Sequence, residues 1–286
     1  MSVMLKQVFL PNDDTETGFF MEQRRTCYST VYPFKFFPQK GLEKISFEPI
    51  TIFYGNNGSG KSTLLNIISE KIGAKRRSPF NGSAFFSDYL KFCKCKYQGR
   101  KPDNIQILTS DDVSEYILDL RYLNDGIDGK REELFNEYLD KKYSNYKLKS
   151  LDDYDEFKTN QEAKRKSQSA FVRSNLMQNP DMHSNGETAI RYFVDSITED
   201  GIYLMDEPEN SLSASLQLEL MKYIQASARH FNCQFIIATH SPIFLSIPDA
   251  KIYNLDLSPV NICKWNDLEN VKILYRLFKE HDNDFI

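Results

Sequence analysis

The sequence predicts an α/β fold: a core built on a mainly parallel sheet, preceded by an N-terminal antiparallel β segment and interrupted by a helical insertion lobe. Three observations predict it. A glycine-rich loop, Gly55-Asn56-Asn57-Gly58-Ser59-Gly60-Lys61-Ser62, lies between an apolar strand pattern (Ile50, Ile52, Phe53) and helically spaced apolar residues (Leu64, Leu65, Ile67, Ile68). From Glu187 onward, strand and helix patterns alternate, which implies a parallel sheet covered on both faces. Between these regions, residues 76–175 change to charged, tyrosine-rich helical patterns.

In chain order, the first 55 residues hold alternating, aromatic-rich stretches at 4–10, 27–37 and 45–54, broken by Pro11, Pro33, Pro38 and Gly41. These read as short antiparallel strands. A helix over 61–72 follows the glycine-rich loop and ends near Gly73. Within 76–175 only 105–108 reads as a strand, and no a/d heptads are sustained, so a compact lobe is expected in place of a long coiled coil. The core then resumes with helix 187–197, strand 201–205, helix 212–229, strand 234–239, strand 251–255 and helix 268–280. The expected division is a core of 1–75 and 176–286 with the lobe at 76–175.

The 286 residues suffice for one large domain carrying an insertion, and 41% hydrophobic with 27% charged residues is ordinary for a globular chain. No apolar run is long enough to cross a bilayer and the N-terminus lacks a secretory pattern, so a cytoplasmic protein without a membrane partner is expected. Cys27, Cys93, Cys95, Cys233 and Cys263 are odd in number and scattered, which suits reduced thiols, with Cys233 in or near the core. A net charge of −4 does not mark the whole chain as a nucleic-acid binder. Local basic clusters at 75–77 and at 164–166 with Arg173 are the places where such contact would fall.

The residue types of the loop suit phosphate. Glycines at 55, 58 and 60 let the backbone turn its N–H groups inward around anionic oxygens, and the helix N-terminus adds partial positive charge. Lys61 would bring a full charge to the β- and γ-phosphates of a nucleotide, and the Ser62 hydroxyl would be a ligand for Mg²⁺. Apolar residues 202–205 run into Asp206 and Glu207, delivering two carboxylates to a sheet edge. Asp206 would hold Mg²⁺ and Glu207 would orient and deprotonate an attacking water. A second apolar strand ends in Thr239-His240-Ser241-Pro242, placing an imidazole at the same edge. Ser184-Asn185-Gly186-Glu187 is a capping box whose helix N-terminus is also a candidate anion site.

With these four elements in order, the chain resembles the ATP-binding-cassette (ABC) ATPases. The likeness is strongest to the soluble branch with RecF and the structural-maintenance-of-chromosomes proteins, and to stand-alone bacterial AAA family ATPases. It covers roughly 40–75 and 180–260. The resemblance implies ATP binding by Gly55, Asn56, Asn57, Gly58, Ser59, Gly60, Lys61, Ser62 and Thr63, and Mg²⁺ held by Ser62 and Asp206. Catalysis would fall to Glu207 and Lys61, with His240 as the switch histidine. It further implies an ATP-dependent, head-to-tail homodimer in which Ser184, Asn185, Gly186 and Glu187 form the signature that touches the partner copy's ATP. An adenine-stacking aromatic is expected among Tyr28, Tyr32, Phe34 and Phe36.

The departures from that family are specific. The signature reads His183-Ser184-Asn185-Gly186-Glu187, the stretch after Glu207 carries Ser213 where an aspartate is usual, and Thr109-Ser110-Asp111-Asp112 stands where a glutamine loop is expected. The missing glutamine argues against a transporter role. An ATP-gated switch is therefore the leading expectation, in DNA maintenance or phage defence, with DNA or a partner protein engaged through 76–175. The alternatives are the ATP-binding subunit of a transporter and a nucleotide-gated regulatory component of a toxin or immunity complex.

Overall fold

The computed structural model describes residues 3–23, 27–28, 30–144, 154–180 and 184–285. The chain divides into two compact units, 1–114 with 184–286, and 115–183.

In the first unit, β1 (Leu5–Phe9) is followed by α1 (Asp13–Glu22), a helix absent from the strand-only expectation for this region. Its start has a local cause: the Asn12 side chain accepts the Thr15 N–H at 3.0 Å, and Asp13, Asp14 and Glu16 complement the positive end of the helix dipole. The strand expected at 27–37 is instead a run of turns leading into a short 3₁₀ helix at Pro38–Lys40. Pro33 and Pro38 cannot donate to a ladder, and Phe34 and Phe37 are buried at 2% and 0% exposure, packing on Tyr89 at ring distances of 5.0 and 6.4 Å.

The apolar stretch at 45–54 also divides. β2 (Lys44–Ser46) pairs antiparallel with β1, while β3 (Ile50–Tyr54), beyond Pro49, enters a different sheet with all five residues buried. After β3 come α2 (Lys61–Ile72), closed by left-handed Gly73, then α3 (Phe86–Phe92), β4 (Lys94–Tyr97), β5 (Asn104–Thr109) and α4 (Ser110–Tyr143). β4 completes a three-stranded antiparallel sheet in the order β2-β1-β4. Residues 76–114, expected in the lobe, thus lie in the first unit. There β5 joins the main sheet and the Asp112 carboxylate accepts the Ser78 N–H at 2.8 Å.

The unit 115–183 holds most of α4, with α5 (Tyr154–Arg165) and α6 (Gln168–Asn175). Leu134, Tyr138, Ala163, Phe171 and Val172 form its small apolar core.

The first unit then continues with α7 (Asn185–Ser196), β6 (Gly201–Asp206), α8 (Ala214–His230), β7 (Gln234–Ala238), α9 (Pro242–Leu245), β8 (Lys251–Asn254), β9 (Asn261–Cys263) and α10 (Glu269–Glu280). Six strands form the main sheet in the order β5-β6-β7-β3-β8-β9, parallel except for β9. β3 and β7 are buried throughout and β6 at five of its six positions, as expected for strands covered on both faces. Each large apolar side chain so buried contributes about 1.5–3 kcal/mol before chain entropy is counted.

One buried polar residue joins the two sheets. Gln234 accepts the Met4 and Leu5 N–H groups at 3.0 and 2.7 Å and donates to Leu5 O and Glu48 O, so it is fully satisfied at 0% exposure. All five cysteines are free, and Cys233 is buried. Among the described residues no helix is long and apolar enough to cross a membrane.

Candidate active site

The parallel register places the ends of three central strands side by side. Asp206 pairs with Ala238 of β7 and with Thr109 of β5, while Ala238 pairs with Phe53 of β3. The glycine-rich loop after β3, the carboxylates after β6 and the histidine after β7 therefore emerge at one edge.

The loop at 55–60 turns into α2 through left-handed glycines, Gly58 at φ 82° and Gly60 at φ 94°. Gly60 has a second reason to lack a side chain, because a Cβ there would sit 2.4 Å from Phe36 Cε1. At Gly55 a Cβ would meet Ser59 Oγ at 2.4 Å. Lys61 is 5% exposed and its ammonium donates to Gly55 O at 2.7 Å and Asn56 O at 3.3 Å, 3.8 Å from Glu207 Oε1. Ser59 Oγ is buried without a hydrogen-bond partner among the described residues. Asn56, Asn57, Gly58, Ser59, Gly60, Lys61, Ser62 and Thr63 line a cavity of about 320 Å³ with Tyr32 and Glu207.

Across from the loop, the Ser62 hydroxyl donates to Asp206 Oδ1 at 3.1 Å. Burial pushes the Asp206 carboxyl up to about 6; the Ser62 hydrogen bond opposes that rise and the neighbouring Glu207 charge adds to it. Glu207 adopts a left-handed conformation at φ 47°, its N–H donating to Ala238 O at 2.8 Å. A non-glycine residue held there stores strain of order 1–3 kcal/mol, and the bend turns β6 directly into a 3₁₀ helix at Pro208–Ser211. His240 Nδ1 lies 3.8 Å from Glu207 Oε1, so Lys61, Glu207 and His240 form a contiguous polar row.

The signature candidates stand apart from this row. Ser184 Oγ accepts the Glu187 N–H at 3.3 Å, and Glu187 Oε2 accepts from Ser184 N–H and Oγ at 3.0 and 2.9 Å, the capping box expected at the start of α7. Asn185 and Gly186 complete the first turn, and a Cβ on Gly186 would meet Leu216 Cδ1 at 2.6 Å, so this glycine serves close helix packing. None of the four lines the 320 Å³ cavity or the larger one beside it. His183 lies outside the described residues.

Several residues at this edge escaped the sequence reading. Of the four aromatic candidates, Tyr32 reaches the loop, its hydroxyl donating to Thr63 Oγ1 at 2.5 Å, and Phe36 covers Gly60; Phe34 is core, and Tyr28 packs edge-on against Phe85. Arg76, assigned by sequence to a basic surface cluster, instead lines a second cavity of about 530 Å³ with Ser62, Asp206, Thr109 and Ser110. Its guanidinium donates to Asn66 Oδ1 and Ser69 Oγ and lies 4.4 Å over the Phe80 ring. Asp256 accepts the Asn56 N–H, and the Asn270 side chain donates to His240 O at 2.6 Å. One signal was available: a strand parallel to β6 must end at the same edge, which marks 109–111 even without a glutamine.

The donor set suits a hard divalent cation shared with phosphate oxygens. Ser62 and Asp206 supply a hydroxyl and a carboxylate, and among the described residues no group of three or more His, Cys, Asp or Glu is arranged to hold a metal by protein ligands alone.

Residues 187–245, which include Glu187, Asp206, Glu207 and His240, match a protein-family model described as AAA ATPase domain. No curated protein gives a significant match. Among solved structures, the chain is similar to the SMC head domain from Thermotoga maritima at 13% identity, covering 91% of this chain and 98% of that one with a TM-score of 0.38. The SMC head bound to the C-terminal winged-helix domain of ScpA is similar at 18% identity, covering 80% and 94%, TM-score 0.40. CbiO1 from Clostridium perfringens, part of the ABC transporter complex cbiONQ, is similar at 17%, covering 82% and 85%, TM-score 0.38.

Proposed function

We propose that this chain, whose residues 187–245 match an AAA ATPase domain, is an ATP hydrolase that works as a nucleotide-gated dimeric switch. The observation that carries the reading is the convergence, at one sheet edge, of a glycine-rich loop with Lys61, the Ser62–Asp206 pair, and Glu207 between Lys61 and His240.

ATP would lay its phosphates along residues 55–63, with Tyr32 beside Thr63 on the nucleoside side. Ser62 and Asp206 would hold Mg²⁺, which when bound neutralises charge on the phosphate oxygens. Glu207 takes a proton from the attacking water as its oxygen bonds to the γ-phosphorus and the bond to the β–γ bridging oxygen breaks. Lys61 and His240 face the negative charge on the γ-phosphoryl oxygens.

The N-terminal turn of α7 (Ser184, Asn185, Gly186, Glu187) would meet the ATP of a second copy, making a two-fold, head-to-tail dimer that hydrolysis releases. The lobe at 115–183 would carry the output to DNA or a partner protein, and a role in DNA maintenance or phage defence fits a switch of this kind.

Three measurements test the reading: phosphate release, light scattering and ATP affinity. Wild type should release phosphate from ATP with Mg²⁺, and Glu207→Gln should bind ATP, lose turnover by about 10²-fold or more, and scatter light as a dimer. A Glu207→Gln protein that stays monomeric in ATP and Mg²⁺ would remove the dimeric switch, and equal ATP affinity in Lys61→Ala would remove the phosphate site.

A further inference from the structure

We infer that Glu209 is the positioning residue for His240: its buried carboxylate accepts the imidazole Nδ1–H and leaves Nε2 as the ring atom offered to the phosphate end of the site. The inference rests on the nucleotide site proposed above and assigns a role to a residue outside its motifs.

Glu209 sits in the 3₁₀ helix that the left-handed bend at Glu207 creates, and this brings its side chain beneath the turn at 239–241. The side chain is only 6% exposed. Its Oε1 accepts Thr239 Oγ1–H at 2.6 Å, His240 N–H at 3.0 Å and Ser241 N–H at 3.2 Å, and lies 3.3 Å from His240 Nδ1. Oε2 is buried with no hydrogen-bond partner among the described residues.

A purely structural acceptor does not need the charge. An amide oxygen could take the same backbone and hydroxyl donors, and a buried carboxylate with one orphaned oxygen is costly to keep. What only the carboxylate supplies is a negative charge beside Nδ1. An imidazole with its Nδ1–H on a carboxylate is held in one tautomer and one orientation, as in other sites where an acid orients a catalytic or metal-binding histidine.

The second carboxylate near the same nitrogen supports the assignment. Glu207 Oε1 is farther from Nδ1, at 3.8 Å, and Glu207 is more exposed, at 27% of its side chain. With Nδ1 engaged by Glu209, Glu207 stays free to serve the water. Asn270 holds the other side of the turn through His240 O. The backbone of the turn is thus pinned and the ring lies against Glu209, while 51% of the histidine side chain remains accessible.

The experiment combines spectroscopy with a mutant cycle. Nitrogen-15 histidine spectra of the wild type should show the proton on Nδ1 of His240; a ring protonated on Nε2 alone overturns the inference. Glu209→Gln should lower kcat about tenfold or more with KM for ATP within about twofold. In a His240→Ala background the same substitution should change kcat by less than about twofold, and an equal fall in both backgrounds overturns the inference. If Glu209→Gln does not fold, the wild-type spectrum still decides. Absence of ATP turnover in the wild type would reject the proposed function, and the spectrum would still decide the role of Glu209.

Discussion

The Ser62 hydroxyl donates to the Asp206 carboxylate across 3.1 Å, joining the first turn of α2 to the end of β6, residues 144 positions apart in the chain. Neutralising the acid should leave the hydrogen bond and remove the charge. Asp206→Asn is therefore expected to keep the melting temperature within a few degrees while the gain in ATP affinity from added Mg²⁺ falls about tenfold or more, measured by calorimetry with and without the ion. An unchanged magnesium effect would disprove the assignment of this pair.

Two glycines of the glycine-rich loop should respond differently to alanine. At Gly58 the φ of 82° meets open space, so Gly58→Ala costs only the left-handed backbone, about 1–2 kcal/mol. At Gly60 the same kind of strain, at φ 94°, adds to a contact of 2.4 Å with the Phe36 ring. Thermal melts should rank Gly60→Ala below Gly58→Ala, and adding Phe36→Leu should recover part of the difference. Equal melting temperatures for the two single variants would exclude the steric account.

Glu16 sets a pH dependence. Its Oε2 accepts the Lys35 N–H at 2.5 Å while Oε1 is buried without a partner among the described residues, and burial raises its pKa to about 7 from 4.5. The folded protein thus binds this proton more tightly than the unfolded chain, so the stabilisation is complete below about pH 4.5 and is lost as pH rises through about 7. Glu16→Gln should flatten the fall in melting temperature between those limits, raising it relative to wild type on the alkaline side. A parallel pH profile for the two proteins would contradict this. Because Lys35 lies in the turn that carries Tyr32 and Phe36, the same variant should leave ATP affinity unchanged at the acidic limit, where Glu16 itself is protonated.

The lobe presents Lys164, Arg165 and Arg173 to solvent, whereas Lys166 is half-buried and held by Glu162 and Ser174. Reversing the exposed charges with Arg165→Glu and Arg173→Glu should weaken binding of duplex DNA about tenfold in a low-salt gel-shift titration and leave basal ATP hydrolysis intact. Unchanged DNA affinity would rule out this surface as the nucleic-acid contact and turn attention to a protein partner.

Much of the fold was legible along the chain. The glycine-rich loop, the two strands ending in Asp206-Glu207 and Thr239-His240, the capping box at Ser184 and the parallel order of the core are local patterns. Each is set by backbone sterics, helix capping or the burial of a short apolar run. α1 carried a legible signal too, in Asn12 and the acids behind it, but the flanking aromatics read more strongly as strands.

Other features could not be read locally. Whether 45–54 was one strand or two depended on which sheet each half would join; residues 94–97 carried no strand signal and became an edge strand by pairing with β1, and although 105–108 read as a strand, its place beside β6 was set by the sheet.

By itself, then, the sequence determined which residues make the glycine-rich loop and the acids after β6, because the phosphate chemistry proposed for them needs glycines, a lysine, a serine and two acids at fixed short spacings. Only the tertiary structure decided what surrounds it. Tyr32 against Thr63, Arg76 beside Asp206, Asp256 on Asn56, and Glu209 beneath His240 are meetings between segments far apart in the chain. No spacing rule encodes such contacts; they arise when burying the apolar strands brings their polar ends to a common edge.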